Sequence, residues 1–384
     1  MKIVFLCEAV FPENKGGVER WFSQLSTELS RRGHEVLYLN ATGVNENRNG
    51  VQYRSITSEP WFYLAGGVRS KRQAIRFAIS SYRELRSIKA DTIYATSVPI
   101  LSVFPVGLVG SRRKRTTTFV EWFEIWPIKY WIQYSGILSG VVGWVIQLAA
   151  LQVGKFRIVY TERASSSLER LNLHPVRKNV MQLSGLCSPF FVQPQDDAKL
   201  RNDISFLGRF VDEKQPLLAI QGVIEFIKSG WTGNFWVIGK GPSLASMKKL
   251  LEMNQDAAKQ INIVEDASDE IVAMHLRNSF VLLHPSKREG YGLASVEAAY
   301  VGTPSVLLKY PNNATLDLGI SPELVVTNLT PSGIASKLNL AFHEQASIRM
   351  RTLNWASNAA LNKSITSTAD QIEKLLGVSN AQGQ

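Results

Sequence analysis

Residues 279–298 read SFVLLHPSKREGYGLASVEA, an apolar strand followed by a glycine-rich turn and then a helix. The strand is predicted over 279–283 and the helix from residue 293. The first backbone N–H groups of a helix have no partner within it, so the turn Gly290-Tyr291-Gly292-Leu293 predicts an anion site. Gly292 lacks a side chain, so a ligand could approach its backbone closely.

Two carboxylates flank this turn. Glu289 lies within it, and Glu297 lies on the first turns of the following helix. In a parallel α/β sheet, ligands bind outside the carboxyl ends of the strands, so both side chains are predicted to face such a crevice. Carboxylate acceptors beside an anion site suit a ligand that carries both hydroxyls and phosphates. The segment therefore predicts a site for a nucleotide sugar.

The same alternation of strand and helix extends through the second half of the chain. The apolar periodicity predicts strands at 204–207, 235–238 and 261–264, and helices at 214–229, 243–254 and 269–277. Such alternation indicates a doubly wound parallel sheet with helices on both faces.

Two further turns of this half carry candidate ligand residues. Gly208-Arg209 follows the first strand, and Lys214 is predicted to open the next helix just before Pro216. Arg209 and Lys214 would supply two fixed cations for a diphosphate. After the next strand, the turn Gly239-Lys240-Gly241-Pro242 would let a planar group approach the backbone.

The first half repeats the pattern. Strands are predicted at 2–7 and 35–40 and near 91–95, 115–120, 156–160 and 179–183, with a helix at 18–32. Gly16-Gly17 lies between the first strand and this helix and offers a second helix N-terminus. We predict two doubly wound domains, at 1–190 and 200–345, and C-terminal helices at 346–384 that pack back across the domain junction.

Length and composition agree with two globular domains. The chain has 384 residues, more than one core usually supports, with 45% hydrophobic and 20% charged residues. Its two cysteines exclude a disulfide framework and a four-thiolate zinc site, and the five histidines are scattered. No D-x-D triplet occurs. We expect a reduced, cytoplasmic protein with neither a metal site nor a bound cofactor.

The charge is one-sided. Residues 1–190 hold 25 Lys and Arg against 13 Asp and Glu, whereas residues 191–384 hold 18 against 19. A basic first half predicts an anionic partner. The candidates are a membrane surface, lipid phosphate, acidic glycan and nucleic acid. Nucleic acid is the weaker alternative because no nucleic-acid-binding motif is present.

Residues 130–154 form a run of 25 residues without charge, and Gly136 and Gly140 make a GxxxG pair within it. By length the run could span a bilayer. The predicted strands on either side, at 115–120 and 156–160, should however pair within one sheet, which a single span would prevent. We therefore predict a buried or membrane-surface helix.

Basic and aromatic residues accompany this run. The basic residues are Arg69, Lys71, Arg72, Arg76, Arg83 and Arg86 on or before one predicted helix, and Arg112-Arg113-Lys114-Arg115 before a strand. The aromatic residues are Trp122, Trp126, Tyr130, Trp131 and Tyr134. Such residues attract anionic headgroups and sit at bilayer interfaces, so peripheral association with an anionic membrane surface is predicted.

The chain resembles the GT-B retaining glycosyltransferases of family 4, the glycosyl transferase group 1 type. The resemblance is carried by Gly16-Gly17-Val18-Glu19, Gly208-Arg209 with Lys214, Gly239–Pro242, Glu289 with Glu297-Ala298, and Gly302-Thr303-Pro304. It implies two Rossmann-like domains that face a central cleft. It also implies that Glu297 holds the donor's ribose and Glu289 its sugar hydroxyls.

By the same resemblance, Arg209 and Lys214 neutralise the diphosphate. Gly17 donates its N–H to the distal phosphate, and the Gly292-Leu293 turn completes the cradle. The implied reaction is metal-independent and retains configuration by front-face attack, with a diphosphate oxygen taking the acceptor's proton. A role for Glu289 as nucleophile or base remains an alternative.

The sequence departs from the family at two places. A first-domain histidine of the family is replaced here by Phe123 or Glu121, and the Asn-Gly motif before the linker reads Ser184-Gly185-Leu186-Cys187. Glu121 and Glu124 are candidates for contacting the acceptor. The alternative is that each is a loop carboxylate paired with a nearby arginine.

The predicted function is transfer of a sugar from a nucleotide-diphosphate sugar to a lipid-linked or polysaccharide acceptor at the cytoplasmic membrane face. Glu289, Arg209 and Lys214 are the predicted catalytic residues. Two alternatives remain open, a non-catalytic nucleotide-sugar-binding or scaffold relative and an epimerase or phosphorylase on the same fold.

Overall fold

The computed structural model describes residues 1–14, 16–57, 70–173, 180–182, 200–362 and 364–378. By their internal contacts the residues divide into two compact units. Unit 1 comprises Met1–Cys187 with Lys363–Gln384, and unit 2 comprises Ser188–Asn362. The segment predicted as a C-terminal extension, 346–384, is thus shared between the units. Arg69, Ser184–Cys187 and most of the predicted linker lie outside the described residues.

Unit 1 is built on a sheet of eight described strands in the order β3-β4-β2-β1-β5-β6-β7-β8, in which only β3 and β4 pair antiparallel. The strands are β1 Lys2–Leu6, β2 Glu35–Asn40, β3 Glu46–Arg48, β4 Val51–Ser55, β5 Thr92–Thr96, β6 Thr117–Trp122, β7 Phe156–Val159 and β8 Val180–Gln182. The helices are α1 Gly17–Arg31, α2 Lys71–Ser87, α3 Val103–Arg112, α4 Ile128–Ser135, α5 Ile137–Leu151 and α6 Glu162–Leu171.

Helix α1 shows why this sequence folds onto the sheet. Trp21, Phe22, Leu25 and Leu29 recur at helical spacing, and all four are buried. The helix ends just before Gly33, whose φ of +90° is a conformation that glycine adopts without strain. The predicted helix and its apolar face are confirmed.

The charge-free run is folded as two helices rather than one. Gly136, with φ of +82°, separates α4 from α5. A Cβ at Gly140 would lie 2.6 Å from the backbone of Ile132, so this glycine lets the two helices pack closely. In the described part of the chain, no helix is both long and apolar enough to cross a membrane. The strands on either side pair in parallel as predicted, with Phe119 opposite Phe156.

Unit 2 has a parallel sheet in the order β11-β10-β9-β12-β14-β16. Its strands are β9 Asp203–Leu207, β10 Phe235–Ile238, β11 Ile261–Val264, β12 Ser279–His284, β14 Ser305–Leu308 and β16 Val325–Val326; β13 Arg288–Glu289 pairs separately with β15 Asn312–Asn313. The helices are α7 Pro216–Ile227, α8 Leu244–Glu252, α9 Gln255–Ala258, α10 Asp269–Asn278, α11 Leu293–Tyr300, α12 Pro331–His343 and α13 Gln345–Asn362. The predicted strand and helix alternation is confirmed.

The last described helix, α14 Ile365–Leu376, belongs to unit 1 and packs against α1. Arg32 joins the two helices, since its guanidinium lies 2.6 Å from Asp370 Oδ1 and 2.7 Å from Glu373 Oε2. His34 Nε2 lies 2.9 Å from the other Glu373 oxygen. The half-buried Arg32 and the buried Glu373 and His34 thus fix α14 onto the end of α1.

Candidate active site of unit 2

The sheet of unit 2 reverses its strand order between β9 and β12. From β9 the chain winds outward through β10 to β11, whereas from β12 it winds the other way through β14. The loops that follow β9 and β12 therefore start side by side at the carboxyl edge of the sheet, the position where ligands bind in doubly wound folds. The first of these loops carries Gly208, Arg209 and Lys214, and the second carries Glu289 to Gly292.

The two loops are joined by an ion pair between Lys214 and Glu289, which are 75 residues apart. Lys214 ends a short 3₁₀ turn, Asp212–Lys214, instead of opening α7 as predicted. The helix begins at Pro216, because Gln215 takes a left-handed conformation with φ of +51°. This turn directs Lys214 back across Gly208 toward β12.

His284, at the end of β12, contacts the same carboxylate. Its Nε2 lies 2.7 Å from Glu289 Oε1, and its Nδ1 lies 2.8 Å from the hydroxyl of Ser295 on α11. The ring is almost fully buried, with 3% of its side chain exposed. His284 was not among the predicted site residues; the one signal available was its place at the carboxyl end of a strand, where ligands bind in such sheets.

Electrostatics keep Glu289 ionised. Burial by itself would raise the pKa of its carboxyl, but the charges of Lys214 and His284 and their hydrogen bonds hold that pKa well below its usual range. Beside it, burial lowers the pKa of Arg288 to about 9. A fixed carboxylate with two nitrogen donors on one oxygen can accept hydrogen bonds from a polyhydroxylated ligand.

Gly292 is the N-cap of α11 and has φ of +96°. A Cβ at this position would lie 2.1 Å from Thr315 Oγ1, so the turn has room only for glycine. The Thr315 hydroxyl is buried without a hydrogen-bond partner, as is that of Ser286. The N-terminus of α11 therefore has one unpaired polar atom beside it, the Thr315 hydroxyl.

Two glycines of the next loop pack against the loop that carries Arg209. A Cβ at Gly239 would lie 1.9 Å from Gly208 O, and one at Gly241 would lie 2.6 Å from Phe210 O. Phe210 N donates to Lys240 O at 2.8 Å, which fixes the two loops to each other. These glycines permit the close approach of the neighbouring loop. The approach of a planar ligand group to the same turn stays a prediction.

The remaining predicted residues of unit 2 differ in exposure. Arg209 is exposed, whereas Tyr291 and Glu297 are each 7% exposed. Leu293 and Gly290 are half-buried. The structure therefore brings Lys214, Glu289 and the α11 N-terminus into one constellation, with Arg209 exposed on the loop that also carries Lys214.

In unit 1, Gly17 is the first residue of α1, so the predicted helix N-terminus is present. The Glu19 carboxylate folds back toward this N-terminus. Its Oε2 lies so near Gly16 that a Cβ on that residue would be only 1.9 Å away. An acidic side chain in the first turn is favourable to the helix dipole.

Glu121 is fully buried in unit 1. It accepts hydrogen bonds from Trp21 Nε1 at 3.0 Å and from the hydroxyl of Tyr94. Burial raises the pKa of Glu121 to about 7. The partners are aromatic donors, not the arginine that the alternative interpretation expected. With no exposed surface, this side chain reaches an acceptor only if its surroundings open.

The neighbouring residues take other partners. Glu124 Oε2 accepts a hydrogen bond from Trp126 Nε1 at 2.8 Å and is half-buried. Phe123 stacks on Tyr160, with ring centroids 4.6 Å apart. In the part of the chain that the structure describes, no three His, Cys, Asp or Glu side chains are grouped to hold a metal ion.

Comparison with known proteins places these features in context. Residues 201–343, within unit 2, match the family model described as glycosyl transferases group 1. Alpha-monoglucosyldiacylglycerol synthase of Acholeplasma laidlawii is 29% identical over 119 residues, which are 30% of this chain and 29% of that protein. The 2-deoxystreptamine glucosyltransferase of Streptomyces kanamyceticus is 35% identical over 101 residues, 26% of each chain. The matches thus span under a third of these relatives.

Solved structures match over nearly the whole chain. Sucrose-phosphate synthase from Thermosynechococcus elongatus superposes with a TM-score of 0.76 at 17% identity, covering 97% of this chain and 98% of that one. Anabaena HepE, solved in complex with UDP and glucose, superposes with a TM-score of 0.72 at 13% identity, covering 99% and 100%. The chain has the GT-B fold, and residues 201–343 are similar to the glycosyl transferases group 1 family.

Proposed function

We propose that the protein is a glycosyltransferase that moves a sugar from a nucleotide-diphosphate sugar to an acceptor hydroxyl. The observation that carries the proposal is the Lys214–Glu289–His284 constellation beside the glycine-capped N-terminus of α11. It combines a cation and a helix N-terminus for phosphates with an ionised carboxylate for sugar hydroxyls. The family match over residues 201–343 supports the same activity.

A uridine-diphosphate glucose donor is the first to test. HepE was solved with UDP and glucose, and both curated relatives carry glucosyl in their names. Those relatives' names point to unlike acceptors, diacylglycerol and 2-deoxystreptamine, while their matched stretches cover only about a quarter to a third of each chain. A shared donor is the simpler reason for that limited similarity.

In the proposed reaction, the bond between the sugar's anomeric carbon and the diphosphate oxygen breaks as the acceptor oxygen bonds to that carbon. Lys214, Arg209 and the N-terminus of α11 stabilise the charge that develops on the diphosphate. A diphosphate oxygen takes the acceptor's proton, so attack occurs on the same face and configuration is retained. Glu289 holds hydroxyls of the donor sugar, and no metal ion takes part.

The proposed acceptor is a lipid-linked glycan or a polysaccharide precursor at the inner face of the cytoplasmic membrane. The excess of basic residues in 1–190 supports an anionic setting for unit 1. The resemblance of a short stretch to a synthase of monoglucosyldiacylglycerol agrees with this choice.

Release of nucleoside diphosphate from a panel of donor sugars, with and without lipid extracts as acceptor, tests the proposal. Lys214→Met and Glu289→Gln are expected to lower transfer by about a hundredfold or more. Lys248→Met and Glu225→Gln, on exposed positions of α8 and α7, are the matched controls and should leave transfer unchanged. NMR of the product's anomeric carbon reports whether configuration is retained.

Nucleotide binding without turnover of any acceptor would contradict the proposal and favour a binding module. Release of nucleoside diphosphate that is equal with and without acceptor would also contradict it. Wild-type transfer by Glu289→Gln would overturn the role given to the constellation.

A further inference from the structure

Helix α5 of unit 1 presents an apolar face to solvent. Its outward residues recur at helical spacing, and the most exposed are Ile137 at 75%, Leu138 at 81%, Val142 at 52% and Val145 at 53%. Val141 and Ala149 lie on the same side and are also exposed. Contiguous apolar patches of this kind on a soluble protein mark an interaction surface.

The opposite face of α5 is used by the fold. Gly143 packs against Trp131 of α4, where a Cβ would lie 2.5 Å from the indole ring. Gln147 is buried and donates to Trp126 O at 2.8 Å while its own oxygen accepts from Trp126 N at 3.0 Å. These contacts fix the orientation of the helix, so its outward apolar face is not available to the core of unit 1.

Positive charge borders the apolar face. Lys71, at the start of α2, donates a hydrogen bond to Ser139 of α5 at 3.0 Å, directly beside Leu138. The exposed face of α2 continues with Arg72 and Arg76, which alternate with the half-exposed Ile75 and Ile79.

Aromatic residues cluster on α4 and on the loop just before it. Trp126 packs against Tyr130 and Tyr134 with ring centroids 4.6 and 5.2 Å apart. Helices α4 and α5 contain no Asp or Glu, and Lys129 is their one charged residue. An apolar helix face that is bordered by Lys and Arg and free of acidic residues matches the chemistry of an anionic bilayer surface.

We propose that the outward face of α5 docks unit 1 on an anionic lipid bilayer, with the helix lying in the plane of the headgroups. The apolar side chains enter the boundary of the acyl chains while Lys71, Arg72 and Arg76 contact lipid phosphates. The positive border favours this occupant over a second copy of the chain, because two copies would bring the same charges together. The docking serves the proposed function by giving access to a lipid-linked acceptor, but it requires no turnover.

Flotation of the full chain with vesicles of phosphatidylglycerol and phosphatidylcholine, compared with phosphatidylcholine alone, tests this proposal. The wild type should float with the anionic vesicles, and added salt should weaken binding. Leu138→Glu with Val142→Glu, and separately Arg72→Glu with Arg76→Glu, should each reduce binding about tenfold or more. Met350→Glu, at a 66% exposed position of unit 2, and Lys248→Glu with Lys249→Glu are the matched controls and should bind as the wild type does.

Several outcomes would overturn the docking surface. One is that both the α5 variant and the α2 variant bind anionic vesicles as well as the wild type does. Another is that the wild type binds neutral and anionic vesicles equally. Dimers of the wild type that Leu138→Glu with Val142→Glu converts to monomers would assign the face to a second copy. Circular dichroism and the unfolding midpoint confirm that each variant is folded.

UDP binding by the same preparations separates the two proposals. Vesicle binding without nucleotide binding would contradict the proposed function and leave the docking surface intact. Nucleotide binding and turnover of a water-soluble acceptor without vesicle binding would contradict the docking surface and leave the proposed function intact.

Discussion

His284 Nε2 and Lys214 Nζ both contact the same oxygen of Glu289, the histidine at 2.7 Å. Lys214 comes from the loop after β9 and His284 from the end of β12, so the shared oxygen connects the two strands at which the sheet reverses its winding. Ser295 extends the connection to α11. The orientation of Glu289 is therefore set by three elements of unit 2.

Replacing His284 tests whether it is a positioning residue for Glu289. We expect His284→Leu to lower the turnover number by up to about a hundredfold, because a displaced carboxylate no longer meets the donor's hydroxyls correctly. Affinity for UDP should change by less than about threefold, since UDP lacks the sugar that Glu289 is proposed to hold. Steady-state kinetics and calorimetry measure the two effects, and partial rescue by His284→Gln would separate positioning from packing.

Gly292 should not tolerate a side chain. Gly292→Ala combines an unfavourable backbone conformation with a contact to Thr315, and we expect a loss of about 3 kcal/mol in the free energy of unfolding. Gly319→Ala is the matched control, because φ is +64° there and nothing lies within 4 Å of the new Cβ. It should cost only about 1 kcal/mol. Denaturant unfolding measures both; equal losses would mean that the contact with Thr315 has no effect.

The buried Glu121 predicts a pH dependence of stability. Its pKa is raised from an ordinary value of 4.5 to about 7 by burial, so the folded protein binds the proton more tightly than the unfolded chain does. The contribution is present below pH 4.5 and is lost as pH rises through about 7, by at most about 3 kcal/mol. Glu121→Gln should remove this slope from the unfolding free energy, whereas the exposed Glu169→Gln should keep it. A slope unaltered by Glu121→Gln would assign it to other groups.

Adjacent arginines at the end of α1 should differ in importance. Arg32 has 14% of its side chain exposed and contacts Glu28, Asp370 and Glu373, whereas Arg31 is 71% exposed and pairs with Glu28 alone. We expect Arg32→Met to cost about 3 kcal/mol, because it leaves the buried Glu373 carboxylate without its arginine. Arg31→Met should cost less than about 1 kcal/mol. Thermal unfolding of the two variants compares them directly, and similar midpoints would contradict this account.

The sheets could be predicted from sequence because their strands are continuous apolar runs. Strand β2 was predicted at the residues where it lies, and α1 was predicted from one buried stripe. The hairpin of β3 and β4 was missed, since these residues are polar on their outer side and lie at the edge of the sheet. Edge strands carry only half of the burial signal that identifies central ones.

The candidate site could be predicted in part. Lys214 and Glu289 were identified from residue type and position, but their direct pairing depends on the left-handed Gln215, which no local pattern indicates. His284 was overlooked because one histidine in an apolar strand carries no spacing information. Glu121 was a candidate for contacting the acceptor or for pairing with an arginine, yet its neighbours in space come from α1 and β5 and bury it. Whether such side chains pair or are buried depends on contacts between segments that are distant in the sequence.

Because α14 follows unit 2 in the chain but packs on α1, unit 1 is assembled from two separate stretches of sequence. Unit 2 is one continuous stretch, so during synthesis its segments can leave the ribosome and fold before the last partner of α1 has been translated. Until then the carboxylates of α14 cannot meet Arg32 and His34. The unit whose translation begins first should therefore be the last to complete its folding.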